Sequence, residues 1–367
     1  MDGESGTQHS GGMDSLSLSL TDVADAEFAP GRTYLNTASC GLLPRRTAAA
    51  VRVFADEAVA GGAAALGSFD SVTAARAAFG RLMGVPAERV STGSAVATHV
   101  GLVAASLPEG AEVLAAEGDF SSVINPFVVR RDLKVRLVPL EALAESVRPG
   151  TALIAVSAVQ SADGRIADLP AIRAAATAHG ARTLVDASQA AGWLPLNAGD
   201  YDYTVTGGYK WLLAVRGASY LTVTEEAQES LVPIHAGWVS GEDPWGSTYG
   251  PVEELARSAR RFDEGPAFVA YHAAEQSFAL IEGIGVERIH GHNTTLAARY
   301  RAGLAELGLA PVPGESPIVS VPGLAHRQED VARAGILTSA RAGNLRAAFH
   351  FYNSAADVDR LLDVLSG

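Results

Sequence analysis

The sequence predicts an α/β protein: a three-layer sandwich around a mainly parallel sheet, followed by a small α+β C-terminal domain. Three observations predict it. Short apolar runs alternate with amphipathic stretches of about 10–15 residues through the middle of the chain, the pattern of parallel strands with crossover helices. An aspartate, Asp186, directly follows one of these runs, at the strand end where such folds bind ligands. A stretch with no internal Gly or Pro, 266–283, then separates this region from a second set of strands and helices.

The elements are expected in this order. Residues 1–30 are polar and Gly/Ser-rich and read as a flexible extension. An Ala-rich stretch with helical apolar spacing, 46–64, opens the folded body, and a second helix is expected over 71–83. Strands are expected at 112–116, 134–138, 151–156, 183–185, 203–206 and 218–223, with helices at 126–131 and 170–178. Beyond the linker helix 266–283 come helix 298–307, strand 318–321, helix 328–333, strands 336–339 and 346–351, and helix 356–365. The expected division is an extension over 1–30, a large domain over 31–265, and a linker helix with a small domain over 266–367.

Composition excludes several functions. Acidic residues number 41 against 28 basic ones, and the net charge of −13 disfavours nucleic acid and anionic membranes. A hydrophobic content of 48% is that of a chain with a core. No apolar run approaches the ~18 residues of a membrane span, and the acidic start does not read as a signal peptide. Cys40 is the single cysteine, which excludes an internal disulfide or a multi-cysteine metal site and suits a reducing cytoplasm. Only two of the 28 basic residues are lysines, Lys134 and Lys210. Arginine does not lose its proton in a protein, so amine chemistry has two candidates here.

Lys134 sits in a charged entry to a strand and reads as solvated surface. Lys210 lies between Gly207, Gly208 and Tyr209 on one side and Trp211 on the other, 24 residues after Asp186. A tight turn with aromatic neighbours desolvates an amine and lowers its pKa, as a Schiff-base lysine requires. A carboxylate aimed at a pyridine nitrogen is the other half of a pyridoxal phosphate site. A lone strand-end Asp is ordinarily a turn residue and a lone Lys ordinarily surface; the two together carry the reading.

The stretch 156–223 resembles the class V aminotransferase family of pyridoxal-phosphate enzymes, which includes cysteine desulfurases, kynureninases and isopenicillin N epimerase-like proteins. The matching residues are Val156 to Gly164, Asp168-Leu169, Val185-Asp186-Ala187-Ser188-Gln189, Gly192, Pro195, Asp202, Gly208-Tyr209-Lys210-Trp211 and Gly217. The resemblance implies fold type I, with pyridoxal 5′-phosphate as cofactor. It implies that Lys210 is the internal aldimine lysine and proton shuttle, that Asp186 holds the pyridine nitrogen protonated, and that Gln189 bonds the ring's 3′ oxygen. Tyr209 stands where relatives often have His, and its hydroxyl is expected at the phosphate. Ser161 is also expected to contact the cofactor.

Thr92-Gly93-Ser94-Ala95 opens an apolar helical stretch and corresponds to the phosphate cup. Ala95 falls where relatives often carry Thr, and Ser94 is expected to compensate. Phe120 matches the aromatic residue that stacks on the cofactor ring. Arg346, in a strand with Ala348 and His350 on one face, is expected to pair with a substrate α-carboxylate, with His350 and Asn36 beside it. The segment 262–266 resembles the one that reaches a neighbouring subunit's phosphate, with Pro266 in place of the usual Thr, and Trp238 is a second candidate for that reach. Cys40 lies in the stretch 36–44, which resembles the family's N-terminal active-site loop, whereas desulfurases carry their catalytic Cys in the C-terminal half.

Two other classes compete. A metal-dependent hydrolase would use His290 and His292, but no Glu-x-x-His partner accompanies them. A nicotinamide dehydrogenase would use Gly283 and Gly285, but the third glycine is missing. The expected reaction is β-elimination-type C–S cleavage of a cysteine S-conjugate through a quinonoid. Transamination, epimerisation and decarboxylation are the alternatives. The expected partners are a small amino-acid substrate and a second copy of the chain in a homodimer sharing its active sites.

Overall fold

The structure is a computed structural model that describes residues 19–62 and 69–367. Its strands are Thr33–Tyr34 (β1), Val90–Gly93 (β2), Glu112–Ala116 (β3), Lys134–Val138 (β4), Thr151–Ser157 (β5), Arg182–Asp186 (β6), Tyr203–Gly207 (β7), Ser219–Val223 (β8), Ile318–Val321 (β9), Ile336–Leu337 (β10), Ser339–Arg341 (β11) and Asn344–Ala348 (β12). Seven of them form one sheet in the order β2-β8-β7-β6-β5-β3-β4. Strands β3 to β7 run parallel, and β8 is antiparallel to both β7 and β2.

Side-chain alternation explains the three layers. Val113, Ala115, Leu153, Ala155, Leu184 and Val205 point to one face, where they pack with Val100, Val103 and Phe127. Leu114, Ala116, Ile154, Val156 and Val185 point to the other, against Val72, Phe79, Ile172 and Phe278. Successive residues of a strand face opposite sides, so a sheet covered on both faces needs the unbroken apolar runs seen here. Each fully buried Leu, Ile or Val contributes about 1.5–3 kcal/mol relative to exposure. The covering helices carry clear end signals. Leu169–His179 starts at Asp168, whose side chain accepts the Ala171 amide, and stops at Gly180 with φ 66°.

The second unit is a three-stranded antiparallel sheet, β11-β12-β9, packed on helices Val286–Glu306 and Ala355–Ser366. Strand β1 pairs in parallel with β10, and Leu35 joins this unit's core, although residues 31–36 were expected with the large domain.

Several expectations shift. Residues 1–18 of the expected extension, and 63–64 of the first expected helix, lie outside the described residues. Within the rest of that extension, Leu20–Glu27 is a helix with a Ser19/Asp22 capping box, anchored by buried Val23 and Phe28. Thr92 and Gly93, expected to open a helical stretch, instead close strand β2. The helix expected at 126–131 is Ser121–Val128, with Pro126 inside it rather than at its start. The helix expected at 298–307 begins at Val286. The single strand expected at 336–339 is split between two sheets, and the last strand ends at Ala348.

Candidate active site

The carboxyl edge of the large sheet gathers the chemistry. Register pairs Ser157 with Asp186, and pairs both Gly93 and Gly207 with Ser219. Asp186 is 4% exposed, and its Oδ1 accepts the Ser188 amide at 2.8 Å. Ser188 Oγ in turn accepts the Gly207 amide at 2.9 Å, which ties the strand-end turn to β7. Burial pushes the Asp186 carboxyl up from its ordinary value, and the charge of Lys210 opposes that rise. Asp119, also buried, accepts from the Ser157 amide at 2.8 Å and from Gln160 Nε2 at 3.1 Å, bracing the neighbouring strand end.

Lys210 is 6% exposed, and its Nζ makes no hydrogen bond or ion pair among the described residues. It lies 5.2 Å from the centroid of the Phe120 ring and 5.7 Å from that of Tyr209. Desolvation lowers its pKa; Asp186 opposes the shift, while Arg346 and Arg216 add to it. The neutral amine, the nucleophilic form, is thereby favoured. Three hydrogen bonds hold the Lys210 turn. Leu213 adopts φ 58°, its amide donating to the Lys210 carbonyl at 3.2 Å while Ser277 Oγ donates to its own carbonyl at 2.8 Å. Gly41 donates to the Tyr209 carbonyl at 2.9 Å, and a Cβ at position 41 would lie 2.2 Å from the Lys210 carbonyl oxygen. The N-terminal loop reaches this turn only because residue 41 is glycine.

Asp186, Lys210, Phe120 and Tyr209 line one cavity of about 170 Å³ with Ser94, Ala95 and Arg216. Phe120 is 42% exposed, so it is an open ring on the cavity wall and not a core residue. Ala95 is the N-cap of the helix Val96–Ser106, with no side-chain cap. In the first turn of that helix Thr98 donates to the Ala95 carbonyl at 3.1 Å, while the Val96 and Ala97 amides have no intrahelical acceptor. Ser94, expected to compensate for Ala95, is engaged elsewhere. Its amide and hydroxyl both donate to Glu264 Oε2, at 3.3 Å and 2.7 Å.

Arg346 is 2% exposed and has no carboxylate partner among the described residues. It donates to Ser39 Oγ at 2.7 Å, to Ser339 Oγ at 3.1 Å and to the Ser161 carbonyl. Burial pushes it down to about 10. Asn36 bridges to Ala348, and its Oδ1 is buried without a partner.

Other sequence-predicted residues sit elsewhere. Gln189 is not on the cavity wall; it donates to the Ala38 carbonyl at 2.9 Å and accepts from Trp211 Nε1 at 2.7 Å. Ser161 meets Arg346 through its carbonyl, on the Arg346 side of the site. His350 is fully buried, with Nε2 3.0 Å from the Trp211 carbonyl and Nδ1 3.3 Å from Asn293 Nδ2, so both ring nitrogens are taken by the protein. It lies past the end of β12, where strand alternation no longer aims it with Arg346. His290 stacks on Trp193, and His292 Nε2 lies 2.9 Å from the Asn353 carbonyl. The segment at 262–266 docks on its own chain: Asp263 pairs with Arg76 at 2.6 Å and accepts the Thr92 amide at 2.8 Å. Trp238 packs on Phe69 and Trp245. Burial raises the Cys40 thiol.

Sequence reading missed Arg216, Ser188, Ser39 and Glu264. Arg216 stands six residues after Lys210, and that closeness was the available signal. Ser39 is 307 residues from Arg346, and nothing local links the two.

The sequence model described as "Aminotransferase class-V" matches residues 33–361. An uncharacterized aminotransferase of Bacillus subtilis, YcbU, is 27% identical, covering 92% of this chain and 95% of that protein. An isopenicillin N epimerase of Amycolatopsis lactamdurans is 29% identical, with coverage of 92% and 95%. Among solved structures, the cystine C-S lyase C-DES in complex with its product cysteine persulfide superposes with a TM-score of 0.83 at 22% identity, covering 92% of this chain and 97% of that one. A cysteine desulfurase of Thermococcus onnurineus gives 0.83 at 21%, covering 94% and 96%. These likenesses establish fold type I of the pyridoxal-phosphate enzymes.

Proposed function

The chain belongs to the class V aminotransferase family, whose cofactor is pyridoxal phosphate, and on that premise we propose that it cleaves the C–S bond of a cysteine S-conjugate by β-elimination. The site suits the cofactor. A buried amine without a partner and a buried carboxylate without an ion pair share one cavity, beside an exposed aromatic face and a helix N-terminus. Lys210 would carry the cofactor, Asp186 would hold its pyridine nitrogen, and Phe120 would cover the ring. When bound, pyridoxal phosphate makes the substrate Cα–H acidic by accepting the electron pair left behind.

The chain's own groups do the rest. Arg346 binds the substrate α-carboxylate, held for that task by Ser39, Ser339 and the Ser161 carbonyl. Lys210 Nζ, whose pKa burial lowers, takes the Cα proton. The C–S bond then breaks with its electron pair on sulfur. A thiolate leaves without needing a proton, and beside Lys210 the proton donors on the cavity wall are weak ones, the Tyr209 phenol and serine hydroxyls. This is the observation that carries the reading: no His, Cys or Glu lines the cavity, and Lys210 is its one amine. Addition of water to the three-carbon remainder gives pyruvate and ammonia.

A homodimer is part of the proposal, supported by Trp245 and Tyr249, which are 71% and 90% exposed. A cytoplasmic setting is also part of the proposal, supported by the single cysteine. No helix among the described residues is long and apolar enough to cross a membrane. Transamination or epimerisation is the second reading, supported by the names of the relatives at 27% and 29% identity. The test is incubation with a panel of S-substituted cysteines, read by mass spectrometry. Thiol, pyruvate and ammonia in equal amounts support elimination. A keto acid that keeps its sulfur side chain, or an inverted α-carbon, favours the second reading.

A further inference from the structure

We propose that Arg216 is the cation that binds the cofactor's phosphate in this chain, in place of the hydroxyl and imidazole groups that a phosphate cup would otherwise use. The inference rests on pyridoxal phosphate occupying the cavity. Four observations carry it. Ala95, at the N-cap of the helix Val96–Ser106, has no hydroxyl to offer. Both donors of Ser94 are spent on Glu264 Oε2, and this places a carboxylate at the mouth of the cup, where it repels a second anion. The helix's partial positive charge, about half an elementary charge, cannot by itself offset a phosphate dianion and that carboxylate. Arg216 is the one cation lining the cavity apart from Lys210, which is needed for covalent attachment.

The geometry of Arg216 fits the task. Its guanidinium carbon lies over the Tyr209 ring, 3.9 Å from the centroid. A cation–π contact of this kind leaves guanidinium N–H groups able to donate to an oxyanion. Among the described residues it has no carboxylate partner. Tyr209 then acts as the platform that aims Arg216, in addition to any contact from its own hydroxyl.

The test compares two probes that differ only in the phosphate. Full-chain protein is stripped of cofactor and titrated with pyridoxal 5′-phosphate or with pyridoxal, and attachment at Lys210 is followed by absorbance. Arg216→Ala should weaken pyridoxal phosphate about tenfold to a hundredfold, the range for losing a charge-assisted contact, and leave pyridoxal within about twofold. Arg216→Lys should fall between, because it keeps the charge without the fork. Arg216 is exposed, so neither change removes a core residue. Unchanged affinity for pyridoxal phosphate in Arg216→Ala would overturn the proposal, as would an equal loss for both probes. Wild-type protein that captured neither probe would overturn the cofactor reading and this inference together.

Discussion

Arg346 donates to Ser39 Oγ at 2.7 Å across 307 residues of sequence, joining the C-terminal strand to the N-terminal loop. Arg346 is buried without a carboxylate partner among the described residues, which supports its proposed role as the binder of a substrate carboxylate. Arg346→Lys should raise KM for an amino-acid substrate about tenfold to a hundredfold, by loss of the bidentate pair. Ser39→Ala should raise it only a few-fold, because Ser339 and the Ser161 carbonyl still hold the guanidinium. Steady-state kinetics on both variants check this. An unchanged KM in Arg346→Lys would remove the carboxylate role.

Asp186→Asn keeps the shape of the strand-end turn and removes the negative charge. On the proposed role at the pyridine nitrogen it should lower kcat about a hundredfold or more with little change in KM, since that role acts on the reacting electrons and not on substrate binding. A variant with full kcat would show that the pyridine nitrogen is not held by this carboxylate.

Cys40 should be dispensable. Its thiol is raised by burial and it does not line the cavity, so a persulfide-forming role is not expected. Cys40→Ser should retain kcat within about twofold, measured on the best S-substituted cysteine. A hundredfold loss would argue for a cysteine-borne sulfur intermediate.

Acid should destabilise the fold through two buried histidines. Burial pushes His350 down to about 3 and His99 down to about 4, from an ordinary value of 6.5. The unfolded chain therefore binds protons below pH 6.5 that the native state refuses until pH 3–4. Stability is full above 6.5 and falls as pH drops through that window, by about 1.4 kcal/mol per pH unit for each histidine. Urea unfolding of the protein and of His350→Gln between pH 4.5 and 7 should show a shallower pH slope in the variant. Equal slopes would mean that His350 is already charged in the native state.

The fold was legible where periodicity was clean. The strands at 112–116, 134–138 and 318–321 were read to the residue because each is a short apolar or alternating run bounded by polar turns. Strand Val90–Gly93 was missed because only one of its four residues is a large hydrophobe, and its partner is a non-local antiparallel strand. Pro126 misled the helix start, since Pro usually sits in a helix's first turn and here stands inside it. At the site, Lys210 and Asp186 stood out through their local motifs. Arg216, Ser39 and Glu264 did not, because their importance comes from partners brought in by the fold: an aromatic face, a distant guanidinium and a helix end. His350 shows the converse, a motif residue whose two ring nitrogens are used for packing.

The central claim is that Lys210, and not Lys134, carries the cofactor. Borohydride reduction of the purified protein, followed by peptide mass spectrometry, tests it most directly. The account predicts a reduced pyridoxyl-phosphate mass on the peptide containing Lys210, and none in Lys210→Ala. The label on Lys134, or an unchanged absorbance band in Lys210→Ala, would contradict it.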